Sequence, residues 1–376
     1  VARLIRTLVR EKRINRAVDV LPDAETLDQM SSSGLGLTRP ESSVLLAHAK
    51  LALYDELLES ELPDEPLLIK DLIAYFPTPI QKSYPKDIAK HRLRRELIAT
   101  SIANQVVNRA GFTYVNDLRE RTGCRGPAAA RAFAIVRDVF GCEALWREIE
   151  ALDNKVLAEV QTAAMLDIKS LIERAALWFV QNRAHPLDIT ANIERFEPGV
   201  TALAKGLGQV ASAGDLEHIG GRRKDFEERG LPSKLAERIA RLPLLGAAPD
   251  IVRVAGGDAA AVPDAARVYF GIGARFGFDW LRDAARGIEA QTPWQRQAVQ
   301  SMVDELYGLQ YDLVTKVMDA AGGLGMAEVV VDVWADAHKS AVERTEQLLG
   351  DMRASGTPDI AMMAVAIRQL RLLVGS

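Results

Sequence analysis

Apolar residues recur along most of the chain at steps of three and four, the spacing that places side chains on one face of an α-helix. No segment alternates apolar and polar residues as a half-buried strand would. The pattern therefore predicts an all-α fold. The two longest stripes are Leu157, Val160, Ala164, Ile168, Leu171, Ala175 and Trp178, within a helix over Leu152 to Gln181, and Trp294, Ala298, Met302, Leu306, Leu309, Leu313, Val317 and Ala320.

Two capping boxes mark helix starts. In Thr38-Arg39-Pro40-Glu41 the threonine oxygen accepts from a free backbone N–H and the glutamate returns the interaction, with proline in the first turn. The helix that follows, Val44 to Leu58, is apolar on more than one face, which predicts burial on most sides. Thr292-Pro293-Trp294-Gln295 opens the second long stripe in the same way.

Further helices are predicted from Lys86 to Ala110 and from Val200 to Ala211, and a run of helical spacing extends from Tyr269 through Trp280 to Ile288. The best strand candidate is Val329-Val330-Val331. It fits a helix better, because apolar residues continue at helical steps to Leu348.

The last predicted helix follows Thr357-Pro358. Its stripe is a candidate subunit or domain interface, and closing the chain's own core is an equal alternative. The whole pattern predicts a multi-helix, elongated helical assembly of one or two packed subdomains: a lead-in over residues 1–40, a subdomain over 41–190 and a second over 191–376. The stripe consists of Ile360, Met363, Ile367, Leu370 and Val374.

Composition is ordinary for a globular protein: 376 residues, 48% hydrophobic and 26% charged, with a net charge of -4. This balance gives no sign of nucleic-acid binding, which requires basic excess. Cys124 and Cys142 are too few for a disulfide framework and predict reduced thiols. No stretch is apolar enough for a membrane span and no signal peptide is present, so a cytoplasmic location is expected. The start at Val1 suggests processing or a cut from a longer protein.

Candidate chemistry is sparse. Gly271-Ile272-Gly273 with Gly277 resembles a dinucleotide fingerprint, but the third glycine comes one residue late and the preceding segment is helical. Glycines that admit a close neighbour are the better interpretation. None of the five histidines has a partner at metal-ligand spacing, and His48 is predicted to be a core histidine. The sequence thus predicts no catalytic, cofactor-binding or metal-binding residue.

Two basic clusters, His91 to Arg95 and Arg222 to Lys224, have acidic neighbours, which indicates solvated ion-pairing surfaces. The short predicted helices Asn116 to Arg121 and Pro127 to Phe140 have the spacing of a helix-turn-helix. Neither is basic enough for a recognition helix, so packing is the better interpretation and no nucleic-acid partner is expected.

Several segments in a fixed order resemble the C-terminal region of the large bacterial NAD-dependent glutamate dehydrogenases, and they cover nearly the whole chain. They are Gly34 to Glu41 with Val44 to Ala47, Tyr75 to Pro79, His91 to Glu96, Trp178 with Asn182-Arg183, Pro186 to Ile189, Arg195 to Gly199, Val268 to Phe270, Arg275 to Gly277 and Asp279 to Leu281.

The resemblance implies a parent enzyme that oxidatively deaminates L-glutamate to 2-oxoglutarate and ammonia with NAD and assembles as a homo-oligomer. The family's catalytic residues and nucleotide-binding glycines lie upstream of this region. NAD is therefore expected in the parent and no cofactor in this segment, whose partner would be the upstream catalytic domain. A role in assembly, stabilisation or regulation follows. The alternatives are a free-standing interaction scaffold and a helical enzyme with a dispersed site. Within the main interpretation, an allosteric effector pocket between helices is a further possibility.

Overall fold

The computed structural model describes residues 1–182, 187–290, 292–321 and 327–375. Over these ranges the chain forms helices joined by short turns, and no β-strand occurs among the described residues. The all-α prediction is confirmed. Cα packing divides the chain into two compact units, Val1–Glu194 (unit 1) and Arg195–Ser376 (unit 2).

Unit 1 begins with a small apolar cluster. Leu4, Ile5 and Leu8 of the first helix are buried together with Leu45 of the fourth, so residues 1–40 pack into this unit. The helices are α1 Ala2–Arg10, α2 Arg16–Asp19, α3 Ala24–Ser32, α4 Arg39–Leu58, α5 Ile69–Ala74, α6 Thr78–Ser83, α7 Pro85–Ala89, α8 Arg94–Ala110, α9 Tyr114–Thr122, α10 Gly126–Val139, α11 Cys142–Glu150 and α12 Ala158–Asn182, with 3₁₀ turns at Leu62–Asp64 and Pro66–Leu68.

The centre of unit 1 is built by α4 against α8 and by α10 against α12. Helix α10 is buried on nearly every side, because small alanines let its neighbours approach and Phe133, Ile135 and Val136 fill the space between them. A carboxylate fixes its start: Glu56 of α4 accepts from the Gly126 backbone N–H at 2.8 Å.

Helix α13, Ile189–Val210, runs across the boundary between the two units. Within unit 2, α19 packs against α17, α18 and α22, and α14 packs against α15. The remaining helices are α14 Ala213–Glu228, α15 Ser233–Leu245, α16 Ala248–Val254, α17 Val262–Phe276, α18 Phe278–Arg286, α19 Pro293–Ala321, α20 Ala327–Ala337, α21 Lys339–Ala354 and α22 Ile360–Gly375.

Both predicted capping boxes are present. The Thr38 backbone N–H donates to Glu41 at 2.7 Å, and the Gln295 N–H donates to the Thr292 hydroxyl at 3.1 Å. The valine run at 329–331 is helical, as the better-fitting interpretation had it. Several burial predictions are wrong. Helix α4 buries only the stripe through Leu45, Ala49, Leu53 and Leu57. Leu157 and Trp294, each the first residue of a predicted stripe, are 67% and 79% exposed.

Several predicted boundaries are also wrong. The helix expected from Lys86 to Ala110 is interrupted at residues 90–93, where the Leu93 N–H donates to the His91 ring. The helix expected from Leu152 begins at Ala158, and the helix expected from Val200 begins at Ile189. In the latter, the Asp188 carboxylate accepts from the Ala191 N–H at 2.8 Å, so an N-terminal cap starts the helix before Pro198.

The long aromatic helix predicted from Tyr269 to Ile288 is two helices. The break falls at Gly277, whose φ of 62° is left-handed and ends α17. Among the described residues, no helix combines the length and the apolar character that crossing a bilayer requires.

Candidate functional site

The most enclosed polar site in unit 1 surrounds Arg137 of α10, whose side chain is fully buried. Its Nη1 donates to Asp71 Oδ1 at 2.6 Å and to Gln105 Oε1 at 2.7 Å, and its Nη2 donates to Asp71 Oδ2 at 3.2 Å. Its Nε donates to Asp138 Oδ1 at 2.9 Å. Three helices, α5, α8 and α10, therefore meet around one guanidinium. Arg137, Asp71, Gln105 and Asp138 are called the Arg137 network below.

Burial lowers the pKa of Arg137, but Asp71 and Asp138 raise it by more, so the pKa of the guanidinium lies above its usual value. The arginine is therefore a cation, and its charged partners are the Asp71 and Asp138 carboxylates. Lys70 extends the network to the surface by donating to Asp138 Oδ2 at 2.7 Å. This charge distribution joins the three helices.

The two thiols are free, as predicted. Burial raises the pKa of Cys142, beside the Arg137 network, to about 12, and burial also raises the pKa of Cys124. A thiol nucleophile needs a lowered pKa, which places these cysteines among the inert structural ones.

Unit 2 has a comparable site around Arg282 of α18, which is 3% exposed. Its Nη1 donates to Gln310 Oε1 at 2.8 Å and its Nη2 donates to Asp279 Oδ1 at 2.7 Å. The guanidinium lies 4.3 Å from the centre of the Tyr307 ring, and the Gln310 amide donates to the Tyr269 carbonyl at 3.0 Å. Helices α17, α18 and α19 are thereby joined. These five residues are called the Arg282 network.

Burial lowers the pKa of Arg282, while Tyr269 and then Asp279 raise it, with a net increase. This arginine too is a permanent cation. It is neutralised by Asp279 and covered by an aromatic ring, a cation–π arrangement.

The glycine motif next to the Arg282 network does not fit a dinucleotide. Gly271 and Gly273 lie inside α17, so their backbone N–H groups belong to the helix. A Cβ on Gly273 would lie 2.8 Å from the Gln310 amide nitrogen, and one on Gly277 would overlap the Arg353 guanidinium. The space that the glycines leave is thus filled by side chains, as the close-packing interpretation predicted. No free backbone N–H groups are therefore available at Gly271 and Gly273 to bind a pyrophosphate.

The described histidines do not converge. His48 is half-buried, with its Nε2 3.9 Å from Asp19 Oδ1, and so is less enclosed than the predicted core histidine. His338 stacks on Trp334 at 4.6 Å. Over residues 1–182, 187–290, 292–321 and 327–375, no group of three His, Cys, Asp or Glu side chains has metal-binding geometry. His185 lies outside the described residues.

The basic clusters pair as predicted, with one change of partner. Arg223 donates to Glu227 at 2.8 Å and Lys224 lies 3.7 Å from Glu228. In the other cluster, Arg94 and Arg95 pair with Asp64, not with the adjacent Glu96.

The predicted helix pair around Gly123 is present as α9 and α10. Because α10 is buried on nearly every side, its residues do not present a free face to a DNA groove.

The stripe proposed as an interface lies on the inner face of α22. Met363 and Leu370 are fully buried and Ile367 is 4% exposed, while Ile360 and Val374 are half-buried. Their surroundings are α19 and α21, and Lys316 of α19 donates to the Val374 carbonyl at 2.9 Å. Packing within unit 2 accounts for this burial. The role of the stripe in subunit contact stays a prediction.

Sequence reasoning missed both arginine networks. Asp71 and Arg137 are 66 residues apart, so no local motif joins them. The available signal was a single arginine inside the apolar run Ala132 to Val139, which can be buried only with a carboxylate partner.

The family model described as "Glutamate dehydrogenase, C-terminal" matches residues 34–372. The chain belongs to this family. Both arginine networks and all but the last turn of α22 lie within the range that the glutamate dehydrogenase C-terminal family model covers. The resemblance inferred from the ordered segments is confirmed.

Three curated relatives, each named NAD-specific glutamate dehydrogenase, are similar along nearly the whole chain. The Pseudomonas aeruginosa protein is 33% identical over 381 residues, covering 100% of this chain and 23% of its own length. The Halomonas elongata protein is 31% identical over 368 residues (98% and 23%), and the Mycobacterium tuberculosis protein is 33% identical over 371 residues (98% and 22%). The chain thus spans less than a quarter of the length of these relatives.

Proposed function

We propose that this chain is a non-catalytic helical segment of an NAD-dependent glutamate dehydrogenase, serving its assembly, stabilisation or regulation. The parent reaction would be oxidative deamination of L-glutamate to 2-oxoglutarate and ammonia. The relatives' names and their greater length support this proposal. NAD would bind upstream in the parent, a cytoplasmic homo-oligomer in which the segment contacts the catalytic domain of the same polypeptide.

The observation that supports the proposal is how the buried arginines use their hydrogen-bond donors. Arg137 and Arg282 are the most deeply buried cations among the described residues of their units, and each donates to side chains of neighbouring helices. A catalytic centre keeps polar groups directed at a substrate position and tunes their pKa toward working pH. These arginines instead hold helices together. Residues 41–190 and 191–376 would act as two such packed subdomains, with 1–40 as the lead-in.

The first test is activity of the chain by itself. Purified chain is mixed with L-glutamate and NAD, reduced NAD is followed by absorbance, and the Pseudomonas aeruginosa relative serves as the positive control. We expect turnover by the relative and none by the chain. Glutamate-dependent NAD reduction by the chain would contradict the proposal.

A second test uses a dehydrogenase polypeptide that carries this chain. Arg137→Met is expected to lower its melting temperature while the KM for glutamate stays within about twofold, because the residue acts on packing and not on substrate. A changed KM with an unchanged melting temperature would place the Arg137 network in the active site.

A protein-interaction scaffold is the second candidate. The observation that favours it is a cluster of exposed apolar side chains in unit 1, on residues 75–93.

A further inference from the structure

Residues 75–93, from the end of α5 through α6 and α7, form an exposed surface that the packing of unit 1 leaves uncovered. Ile88 is the only buried residue in this range, and α6 has none. Four large apolar side chains are exposed here: Tyr75 is 51% exposed, Ile80 40%, Tyr84 58% and Leu93 53%. Clustered exposed apolar side chains mark sites of interaction, and these four fall within 19 residues of the chain. This range is called the 75–93 surface.

The backbone of the 75–93 surface is constrained. Pro77, Pro79 and Pro85 fix three φ angles within nine residues. The Gln81 side-chain amide donates to the Phe76 carbonyl at 2.6 Å, and the Phe76 ring lies 5.8 Å from the His91 ring. A surface held in place before binding loses less conformational entropy when a partner arrives. Its tyrosines add large contact area with few rotatable bonds.

The 75–93 surface is basic although the chain as a whole is acidic. Lys82, Lys86, Lys90 and Arg92 are exposed, and none of them forms an ion pair within the described residues, whereas Arg94 and Arg95 just beyond both pair with Asp64. With Asp87 as the one acidic residue, the range carries four positive charges and one negative, +3 in total. The whole chain carries -4. Four unpaired cations thus fall in the same short range as the exposed tyrosines.

We propose that the 75–93 surface binds an acidic polypeptide segment that also carries apolar side chains. Carboxylates of the partner would pair with Lys82, Lys86 and Lys90, and its apolar side chains would cover Tyr84 and Ile80. Complementary charge of this kind steers association and fixes orientation. The inference rests on the proposed function in one respect, that a segment serving assembly needs a docking surface.

A protein partner fits better than nucleic acid. Ile80 and Leu93 are aliphatic and offer no ring for base stacking, which supplies much of the binding of single strands.

The test uses the 376-residue chain and fluorescently labelled 12-residue peptides that contain three leucines or phenylalanines and zero, two, four or six glutamates. Fluorescence anisotropy gives the Kd. We expect the Kd to fall as glutamates are added. Lys82→Glu with Lys86→Glu should raise the Kd at least about tenfold. Tyr84→Ser should raise it for every peptide, because it removes apolar contact.

The matched control is Arg6→Glu with Arg39→Glu, which makes the same change in net charge at two exposed arginines elsewhere in unit 1. We expect this variant to change the Kd less than about twofold. Circular dichroism melting of each variant checks that it is folded. All the substituted side chains are exposed, so their melting temperatures should equal that of the parent chain.

Three results would overturn the inference. One is no binding of any acidic peptide at concentrations up to roughly 1 mM. Another is that the control variant changes the Kd as much as the lysine variant does, which would mean that net charge alone explains the binding. The third is that a thymidine oligonucleotide or phosphatidylserine vesicles bind, and bind more weakly to the Lys82→Glu, Lys86→Glu variant, while the acidic peptides do not bind. None of these bears on glutamate turnover, so failure here and failure of the proposed function are separate outcomes.

Discussion

At the scale of single residues, Arg137 and Asp71 should be energetically coupled. Both side chains are at most 3% exposed, so removing either leaves a buried charge with less compensation. Each of Arg137→Met and Asp71→Leu alone is expected to lower the free energy of unfolding by about 3–5 kcal/mol. The double substitution should cost far less than the sum, because it removes both charges together. Urea unfolding of the four proteins in the cycle measures the coupling.

Lys70→Met is the control for that cycle. Lys70 pairs with Asp138 of the same network, but its side chain is 44% exposed, so its loss should change the free energy of unfolding by less than about 1 kcal/mol. If the Arg137 and Asp71 effects are additive, the two side chains do not form a buried pair.

Cys142 should make the protein less stable in alkali. Its pKa is about 12 in the fold against 9.0 for an exposed thiol, so between these values the unfolded chain releases a proton that the folded chain keeps. The stabilising contribution is complete below pH 9 and is lost as the pH rises toward 12. The loss approaches about 1.4 kcal/mol per pH unit. Urea unfolding at pH 8 to 11 should show a smaller decline in Cys142→Ala than in the parent. Equal declines would show that the thiol is accessible.

Residue types alone could predict part of this. The absence of a metal-ligand or CxxC spacing correctly led to free thiols, because such sites depend on local spacing. The arginine networks depend on which distant helices meet. The sequence contains 51 acidic residues, and nothing local selects Asp71 as the partner of Arg137.

At the scale of elements, two glycines of α17 should respond oppositely to alanine. Both positions are helical, so alanine gains about 0.5–1 kcal/mol at each from backbone propensity. At Gly271 the nearest atom to an added Cβ is a Val331 methyl at 3.8 Å, an ordinary contact. At Gly273 the Cβ would lie 2.8 Å from the Gln310 amide, which must move away from Tyr269 and Arg282.

Gly271→Ala is therefore expected to raise the melting temperature and Gly273→Ala to lower it. For Gly273→Ala the free energy of unfolding should fall by about 1–3 kcal/mol. Differential scanning calorimetry of the two variants, which are each other's control, measures both signs. A rise in both variants would mean that Gln310 does not pack against α17.

Helix existence was predictable, and so were the helix starts that a capping box marks, but several other helix ends were not. The stripe through Val160, Ala164 and Ile168 is buried in α12 as its spacing indicated, since one apolar face must be covered. The breaks at Gly277 and at residues 90–93 depend on a left-handed glycine and on a histidine that accepts from the backbone. The helical spacing of apolar residues indicates neither of these features. Phe276 and Trp280, on either side of Gly277, are four residues apart, so helical spacing continues across the break and concealed it.

At the scale of the whole molecule, α22 presents two faces with different roles. The inner stripe is covered by helices of unit 2, and Gln369 donates to the Thr345 hydroxyl at 3.0 Å to fix the helix rotation. On the outer face Val365 is 54% exposed and Leu372 is 59% exposed. If copies of the chain associate through this helix, the outer face is the surface available, because using the inner stripe would require opening unit 2.

Substitutions on the two faces should thus separate folding from association. Ile367→Asp places a charge among buried apolar side chains and is expected to cost more than about 3 kcal/mol, seen as a lower melting temperature at every protein concentration. Val365→Asp with Leu372→Asp should leave the melting temperature unchanged and, where the chain self-associates, lower the mass measured by light scattering after size-exclusion chromatography. A folded Ile367→Asp protein with unchanged melting temperature and reduced mass would instead assign the inner stripe to a subunit interface. A lower melting temperature of Ile367→Asp at every protein concentration would limit the role of the inner stripe to the core of unit 2. Assembly would then depend on surfaces that the fold exposes.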